Sequence, residues 1–193
     1  MKVITLNKEM FSKRCSELVS KLEIQPDVMV GILRGGGYIV DEIKDSFKTT
    51  QFYLTDLRRV QKWMDHLAQP FILKLVPYNL SDKLRMFRAK RAEKSLDKLS
   101  IEELQGHELR FNFDAINKDK IKNILIVDDA IDTGRTMFIV KNNLSELFPN
   151  SEIEVAVISW TMENSIVVPD YYLFKQVLVR FPWSKDYKEK DFG

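Results

Sequence analysis

Residues 124–137, ILIVDDAIDTGRTM, constrain the fold more than any other stretch of the chain. Ile124 to Val127 are four consecutive apolar residues with no polar alternation. A strand without a polar face is buried on both sides, the condition of a strand inside a parallel sheet covered by helices. The run meets Asp128 and Asp129, then Asp132 after two apolar residues, then Thr133-Gly134. RTMFIVKNNLSELF, 135–148, follows with helical apolar spacing and stops at Pro149-Asn150. A buried strand passing through a short turn into an amphipathic helix is part of a βαβ repeat.

Other segments extend that pattern. VMVGIL (28–33) is a second apolar run, ending at Arg34-Gly35-Gly36-Gly37, after which Ile39, Ile43 and Phe47 mark one helix face. QFYLTDL (51–57), EIEVAVISW (152–160) and VLVRF (177–181) read as strands, and PFILKLV (70–76) as a weaker one. Residues 8–23 place Phe11, Cys15, Leu18 and Leu22 at helical spacing, with Asn7 as N-cap and Pro26-Asp27 as the break. Residues 81–105 are highly charged with sparse apolar positions. They read as one or two exposed helices, with Ser81 as a cap and Leu84, Phe87 and Arg91 on one face. Strands alternating with helices predict an α/β fold, a mostly parallel central sheet flanked by helices. In such sheets ligands bind at the carboxyl ends of strands, which singles out the loops after residues 33 and 127.

At 193 residues the chain fits one domain, and 45% apolar residues suffice for a core. Charged residues make up 30% but nearly cancel, leaving a net charge of +2, so no nucleic-acid partner is expected. The lone Cys15 builds no disulfide and reads as a small buried or half-buried helix residue. The N-terminus MKVITLNKEMF lacks an apolar signal region, and no window approaches the roughly 18 apolar residues of a membrane span. The expected location is cytoplasmic, with no membrane partner.

The chemistry of the opening stretch follows from its parts. A helix N-terminus offers unpaired N–H groups and partial positive charge, and Gly134 lets the backbone curl so that they converge on one anion. Thr133 and Thr136 add hydroxyl donors. A phosphate monoester suits that turn. Asp128 and Asp129 would repel a phosphate but suit a vicinal diol or a cation, so the stretch reads as a binder of a phosphorylated sugar. Three other motifs compete. The P-loop reading needs a G-x-x-x-x-G-K-[ST] element that the chain lacks. The dinucleotide fingerprint fails at Val40. A receiver domain opens on its acidic pair and has no Thr-Gly turn here. An ordinary loop with acidic surface residues leaves the coincidence of strand, acids, turn and helix unaccounted for.

ILIVDDAIDTGRTM resembles the ribose-5-phosphate signature of type I phosphoribosyltransferases, and GILRGGGYIVDEI resembles their pyrophosphate loop. Order and separation of the two motifs match, and the hypoxanthine-guanine and xanthine-guanine members are most alike. The resemblance implies a magnesium-dependent transferase that moves ribose 5-phosphate from 5-phosphoribosyl-1-pyrophosphate to a nitrogenous base, weakly favouring a purine, as in nucleotide salvage. It implies that Asp128 and Asp129 hold the ribose hydroxyls. Asp132, Thr133, Gly134, Arg135 and Thr136 then bind the 5-phosphate, and Arg34, Gly35 and Gly36 the pyrophosphate. Asp132 is the implied catalytic base, its simpler role being a helix N-cap. The metal would have no direct protein ligand, or be held through Asp128 and Asp129. The resemblance also implies a homodimer, a cis Leu33–Arg34 peptide, and a small hood within one domain, built from about 77–115, from 160–193, or both.

The chain departs from this pattern where purine members place a lysine after the following strand: Ser159-Trp160-Thr161 stands there instead. Trp160 is a candidate stacking residue for the base, or equally a core or interface aromatic. RFPWSKDY resembles a base-closing segment of related members, which makes Phe181 and Trp183 candidates for the base pocket, with a core role at even odds. Tyr171 and Tyr172 read as structural. Arg58 and Arg59 are a lid pair or a solvated charge pair, and His66 and His107 lack metal-ligand spacing. A regulatory sensor that keeps the sugar-phosphate site, or a transferase with an unusual acceptor, are the alternatives.

Overall fold

The computed structural model describes residues 1–56, 74–96, 100–101, 104, 109 and 116–189. Its strands are β1 (Lys2–Thr5), β2 (Val28–Ile32), β3 (Gln51–Thr55), β4 (Asn123–Ile131), β5 (Glu152–Trp160), β6 (Tyr171–Lys175) and β7 (Val177–Arg180). Its α-helices are α1 (Lys8–Val19), α2 (Gly35–Ile43), α3 (Tyr78–Lys94) and α4 (Arg135–Leu147). Five strands form a wholly parallel sheet in the order β3-β2-β4-β5-β6, and β1 pairs with β7 in a separate parallel ribbon. The fold is α/β, a parallel sheet flanked by helices, as the apolar strands require.

Strand periodicity divides the core. Met29, Leu125, Val127, Ala156 and Ile158 point to one face and pack with Phe11, Cys15 and Leu18 of α1 and Ile39, Val40 and Ile43 of α2. Val28, Val30, Ile124, Ile126, Val155 and Val157 point to the other and pack with Met137, Val140 and Leu144 of α4. Successive strand residues alternate faces, so both faces must be apolar when helices cover both. Asn7 caps α1 through its side chain, accepting from Met10 N–H at 2.8 Å. From the β2/β4 pair the chain runs outward to β3 on one side and to β5 and β6 on the other. The crevice between β2 and β4 is therefore the switch point at which such sheets bind ligands.

Several boundaries differ from the sequence reading. β4 continues through Asp128 and Asp129 to Ile131 because its ladder with β5 persists to Ile131↔Trp160. The KVIT of β1 and the YYLFK of β6 are strands that the sequence pattern does not announce. α3 begins at Tyr78 after Pro77, so Ser81 lies inside its first turns rather than capping it. Leu84 and Phe87 face solvent while Ser81 and Ala89 are buried, because the inner surface of α3 packs on charged partners as well as apolar ones. Of PFILKLV, Lys74 and Leu75 are helical and 70–73 lie outside the described residues, as do Arg58, Arg59, His66 and His107. Among the described residues no helix is long and apolar enough to cross a membrane.

Those charged partners centre on Arg180, which is 1% exposed at the end of β7. Its guanidinium donates to Asp186 Oδ2 at 3.0 Å, Thr5 Oγ1 at 2.8 Å, Ser81 Oγ at 2.8 Å and the Asp82 carboxylate, and lies 4.1 Å from the Tyr78 ring centre. Arg85 of α3 grips the same Asp186, its Nε at 2.9 Å, and donates to Val179 O at 3.3 Å. α3, the β1–β7 ribbon and the segment after β7 are thus joined by one desolvated ion network. Burial alone would raise the Asp186 carboxyl, but bonds from Arg85 and Arg180 outweigh it and hold the group well below the usual carboxylate range.

Removing one partner of such a network leaves uncompensated buried charge. Asp186→Asn is expected to cost about 3–5 kcal/mol at neutral pH, read by urea unfolding. A depressed folded pKa contributes stability above the unfolded carboxyl value, about 4, and loses it as pH falls towards the folded value. The gap between wild type and variant is therefore expected to narrow below about pH 4; a gap independent of pH would contradict the ionised network.

Candidate active site

The loop after β2 and the acidic end of β4 meet across the switch point, and glycine makes the approach close. A Cβ built on Gly36 would lie 2.1 Å from the Val127 carbonyl oxygen, and one on Gly35 would lie 2.1 Å from Asp129 Cγ. Side chains at these positions would push α2 off the sheet or displace the carboxylate. Gly37 is less constrained: its nearest neighbour is the flexible end of Leu33 at 2.9 Å. Leu33–Arg34 is a cis peptide, as the resemblance implied, and Arg34 precedes α2 with its side chain exposed.

Asp128 and Asp129 are half-buried, and Asp129 N–H donates to Asp128 Oδ1 at 2.8 Å. Burial raises both carboxyls. For Asp128 the charge of Asp129 adds to the rise, while backbone N–H groups of Asp129 and Gly36 oppose it. For Asp129 the strongest opposing contact is the indole N–H of Trp183, which donates to Oδ2 at 2.9 Å. Two adjacent desolvated carboxylates are costly unless a donor or cation joins them, and that is the chemistry a diol or a divalent metal supplies. Among the described residues no group of three or more His, Cys, Asp or Glu is placed to hold a metal. The pair alone fits a hard cation that takes its remaining oxygens from substrate and water, as Mg²⁺ characteristically does.

The turn after β4 is an anion cradle in form. Gly134 sits at φ 81° as the residue before α4, a left-handed conformation that glycine adopts without penalty. Ile166 N–H donates to Thr133 O at 3.0 Å, and a Cβ on Gly134 would lie 2.9 Å from Val167 N, so the loop after β5 braces the turn. Arg135 was expected at the phosphate, but its side chain turns to α3, donating from Nη2 to Ser95 O at 3.2 Å and Ser95 Oγ at 3.4 Å. Its backbone N–H stays in the first turn of α4, while its side chain links the turn to the end of α3. The Arg135 Nε is buried and has no hydrogen-bond partner among the described residues.

Asp132 is exposed at the end of β4 and accepts a hydrogen bond from Thr161 Oγ1, which also contacts Ile131 O at 2.6 Å. It is thereby held by the strand beside it rather than acting as a free N-cap. Asp132 lines a cavity of about 380 Å³ bounded by Leu178, by Arg85, Arg88 and Ala89 of α3, and by Lys185. Arg85 is committed to Asp186, whereas Arg88 and Lys185 are exposed.

The aromatic candidates have other surroundings. Trp160 is 6% exposed and packs in the core facing α4, its Nε1–H donating to Ser165 Oγ at 2.9 Å, with Lys175 Nζ 4.6 Å from its ring centre. Phe181 is 4% exposed in the core facing α1 and α2. Neither ring lines the cavity beside Asp132. Trp183 does reach the site, through its N–H to Asp129. Sequence reasoning missed Thr161, whose only signal is its place one residue past a strand end. It also missed the Arg180 network, whose members lie far apart in sequence.

The model of the phosphoribosyl transferase domain family matches residues 4–190. The chain belongs to that family and is a phosphoribosyltransferase. Among solved structures it is similar to a purine phosphoribosyltransferase from Pyrococcus horikoshii Ot3, with 22% identity, 95% of each chain covered and a TM-score of 0.61. It is also similar to a xanthine-guanine-hypoxanthine phosphoribosyltransferase from Helicobacter pylori, with 17% identity, 96% of each chain covered and a TM-score of 0.60. A hypothetical protein from Neisseria gonorrhoeae with bound ppGpp is similar at 16% identity, over 94% of this chain and 89% of that one, with a TM-score of 0.51. At these identities the likeness is one of fold. No curated protein sequence matches the chain.

Gly36→Ala is expected to destabilise the protein by about 1–3 kcal/mol in chemical denaturation, because its Cβ meets backbone that cannot swing away. Gly37→Ala, facing only the flexible side-chain ends of Leu33 and Leu54 among the described residues, is expected to cost less than half as much. Equal costs would contradict the close approach of α2 to β4.

Proposed function

We propose that the chain transfers ribose 5-phosphate from 5-phosphoribosyl-1-pyrophosphate to a nitrogenous base and releases pyrophosphate. The observation that carries this reading is the meeting, at one switch point, of a glycine-opened helix, a desolvated carboxylate pair and a left-handed glycine turn at a second helix. Arg34 and the amides of Gly35 and Gly36 hold the pyrophosphate. Asp128 and Asp129 accept from the 2′- and 3′-hydroxyls. The turn from Asp132 to Thr136 binds the 5-phosphate through its amides and the Thr133 and Thr136 hydroxyls, with the Arg135 side chain acting as a brace to α3. Asp128 and Asp129 are the residues that would hold magnesium together with the donor, and the metal would supply charge neutralisation for the pyrophosphate leaving group.

The chain's own groups do the rest. As the C1–O bond breaks, Arg34 stabilises charge on the leaving group. The acceptor lies in the cavity under a hood formed by α3, the β1–β7 ribbon and the segment after β7, within a single domain. Asp132 takes the proton from the attacking ring nitrogen, and Thr161 fixes its orientation. A purine is the favoured acceptor, on the likeness of DDAIDTGRT to the hypoxanthine-guanine signature. The missing lysine leaves Arg88 and Lys185 as the side chains able to donate to an exocyclic oxygen. The working unit is a homodimer in the cytoplasm.

Asp132→Asn is expected to lower kcat about 10²–10⁴-fold, the usual contribution of a positioned general base, while donor affinity measured by calorimetry changes little. Unchanged turnover would contradict the role of Asp132. Donor binding without turnover on any base would favour a sensor of the same fold, a reading that the absent lysine supports.

A further inference from the structure

The segment after β7 touches the carboxylate pair through one bond, from Trp183 Nε1–H to Asp129 Oδ2 at 2.9 Å. The indole is held by neighbours from three parts of the fold. It stacks on Phe181 at 4.9 Å and 7° and on Tyr38 of α2 at 4.5 Å and 22°, and it meets Phe11 of α1 edge-on at 5.0 Å and 87°. A ring fixed this way presents its N–H in one direction and loses little freedom when the bond forms. Asp129 needs such a donor. Burial disfavours its charge, Asp132 repels it, and Gly35 closes one side so tightly that a methyl group has no room.

We propose that Trp183 is a positioning residue for the ribose of the donor: its N–H fixes Oδ2 of Asp129, and with it the plane in which that carboxylate meets the diol. The inference rests on reading Asp129 as a diol-holding group. The same ring links three functions. Tyr38 belongs to the helix opened by the pyrophosphate loop, Asp129 faces the sugar, and Trp183 lies three residues before Asp186, where the ion network anchors the hood. The seating of the C-terminal segment therefore sets the ribose carboxylate.

Trp183→Phe removes the N–H and keeps an aromatic ring. Calorimetric titration of wild type, Trp183→Phe, Asp129→Ala and the double variant would use 5-phosphoribosyl-1-pyrophosphate with Mg²⁺, and inorganic pyrophosphate with Mg²⁺. Trp183→Phe is expected to weaken the sugar donor about tenfold, in keeping with loss of a hydrogen bond to a charged group, and to leave pyrophosphate affinity unchanged. In the Asp129→Ala background it is expected to cost nothing more. Equal loss of both ligands, additive losses, or no loss would overturn the proposal. A wild type that gains nothing from the sugar over pyrophosphate alone would overturn the diol reading, and this inference with it. An independent readout needs no variant: the indole N–H resonance of Trp183 is expected to shift with the sugar donor and not with pyrophosphate. A resonance unmoved by the donor would count against the proposal.

Discussion

The approach of α2 to β4 sets the rest of the site. Where Gly36 passes Val127, main chain lies against main chain with no room for a single added carbon. That contact brings the loop carrying Arg34 alongside the strand carrying Asp128 and Asp129, and places a backbone N–H of α2 on the Asp128 carboxylate. A basic loop and an acidic strand end, each unremarkable alone, become opposite walls of one crevice. The turn at Gly134 then supplies a third wall from the next loop in chain order.

Two kinds of force hold the two parts of the molecule. The sheet is held by apolar burial on both faces, with Met29, Leu125 and Val127 on one and Val30, Ile126 and Val157 on the other, all fully enclosed. α3, the β1–β7 ribbon and the segment after β7 are joined by charge. Arg180, Arg85, Asp82 and Asp186 join α3 to the β1–β7 ribbon, and among the described residues a small apolar cluster of Ala89, Met162 and Leu178 lies beside them, with Val3, Met86, Ala92 and Leu96 packed against it. Buried ion networks are weak sources of net stability but strict about geometry, since each partner must be met in place.

The strands of the sheet were legible because their signal is local. VMVGI (28–32), ILIV (124–127) and VAVI (155–158) are apolar without interruption, and only double-sided burial explains that. The turn at Thr133-Gly134 was legible because a left-handed position before a helix calls for glycine. β1 and β6 escaped because four or five residues with mixed burial give no decisive period. The Arg180 network escaped because its cohesion is long-range: Arg180 reaches Asp82 across 98 positions, and no local pattern announces that pairing. Trp160 shows a related limit. A tryptophan at a strand end reads equally as a stacking platform or as core, and only the bond from its N–H to Ser165 shows that this one is committed inward.

The measurement that bears most directly on the whole account is pyrophosphate release from 5-phosphoribosyl-1-pyrophosphate with Mg²⁺, supplying purine and pyrimidine bases one at a time to the wild-type protein. The account predicts release that depends on one base or one narrow class, with purines foremost, and formation of the matching nucleotide in equal amount. A protein that neither releases pyrophosphate nor binds the donor would contradict the reading of the crevice between β2 and β4 as a sugar-phosphate site.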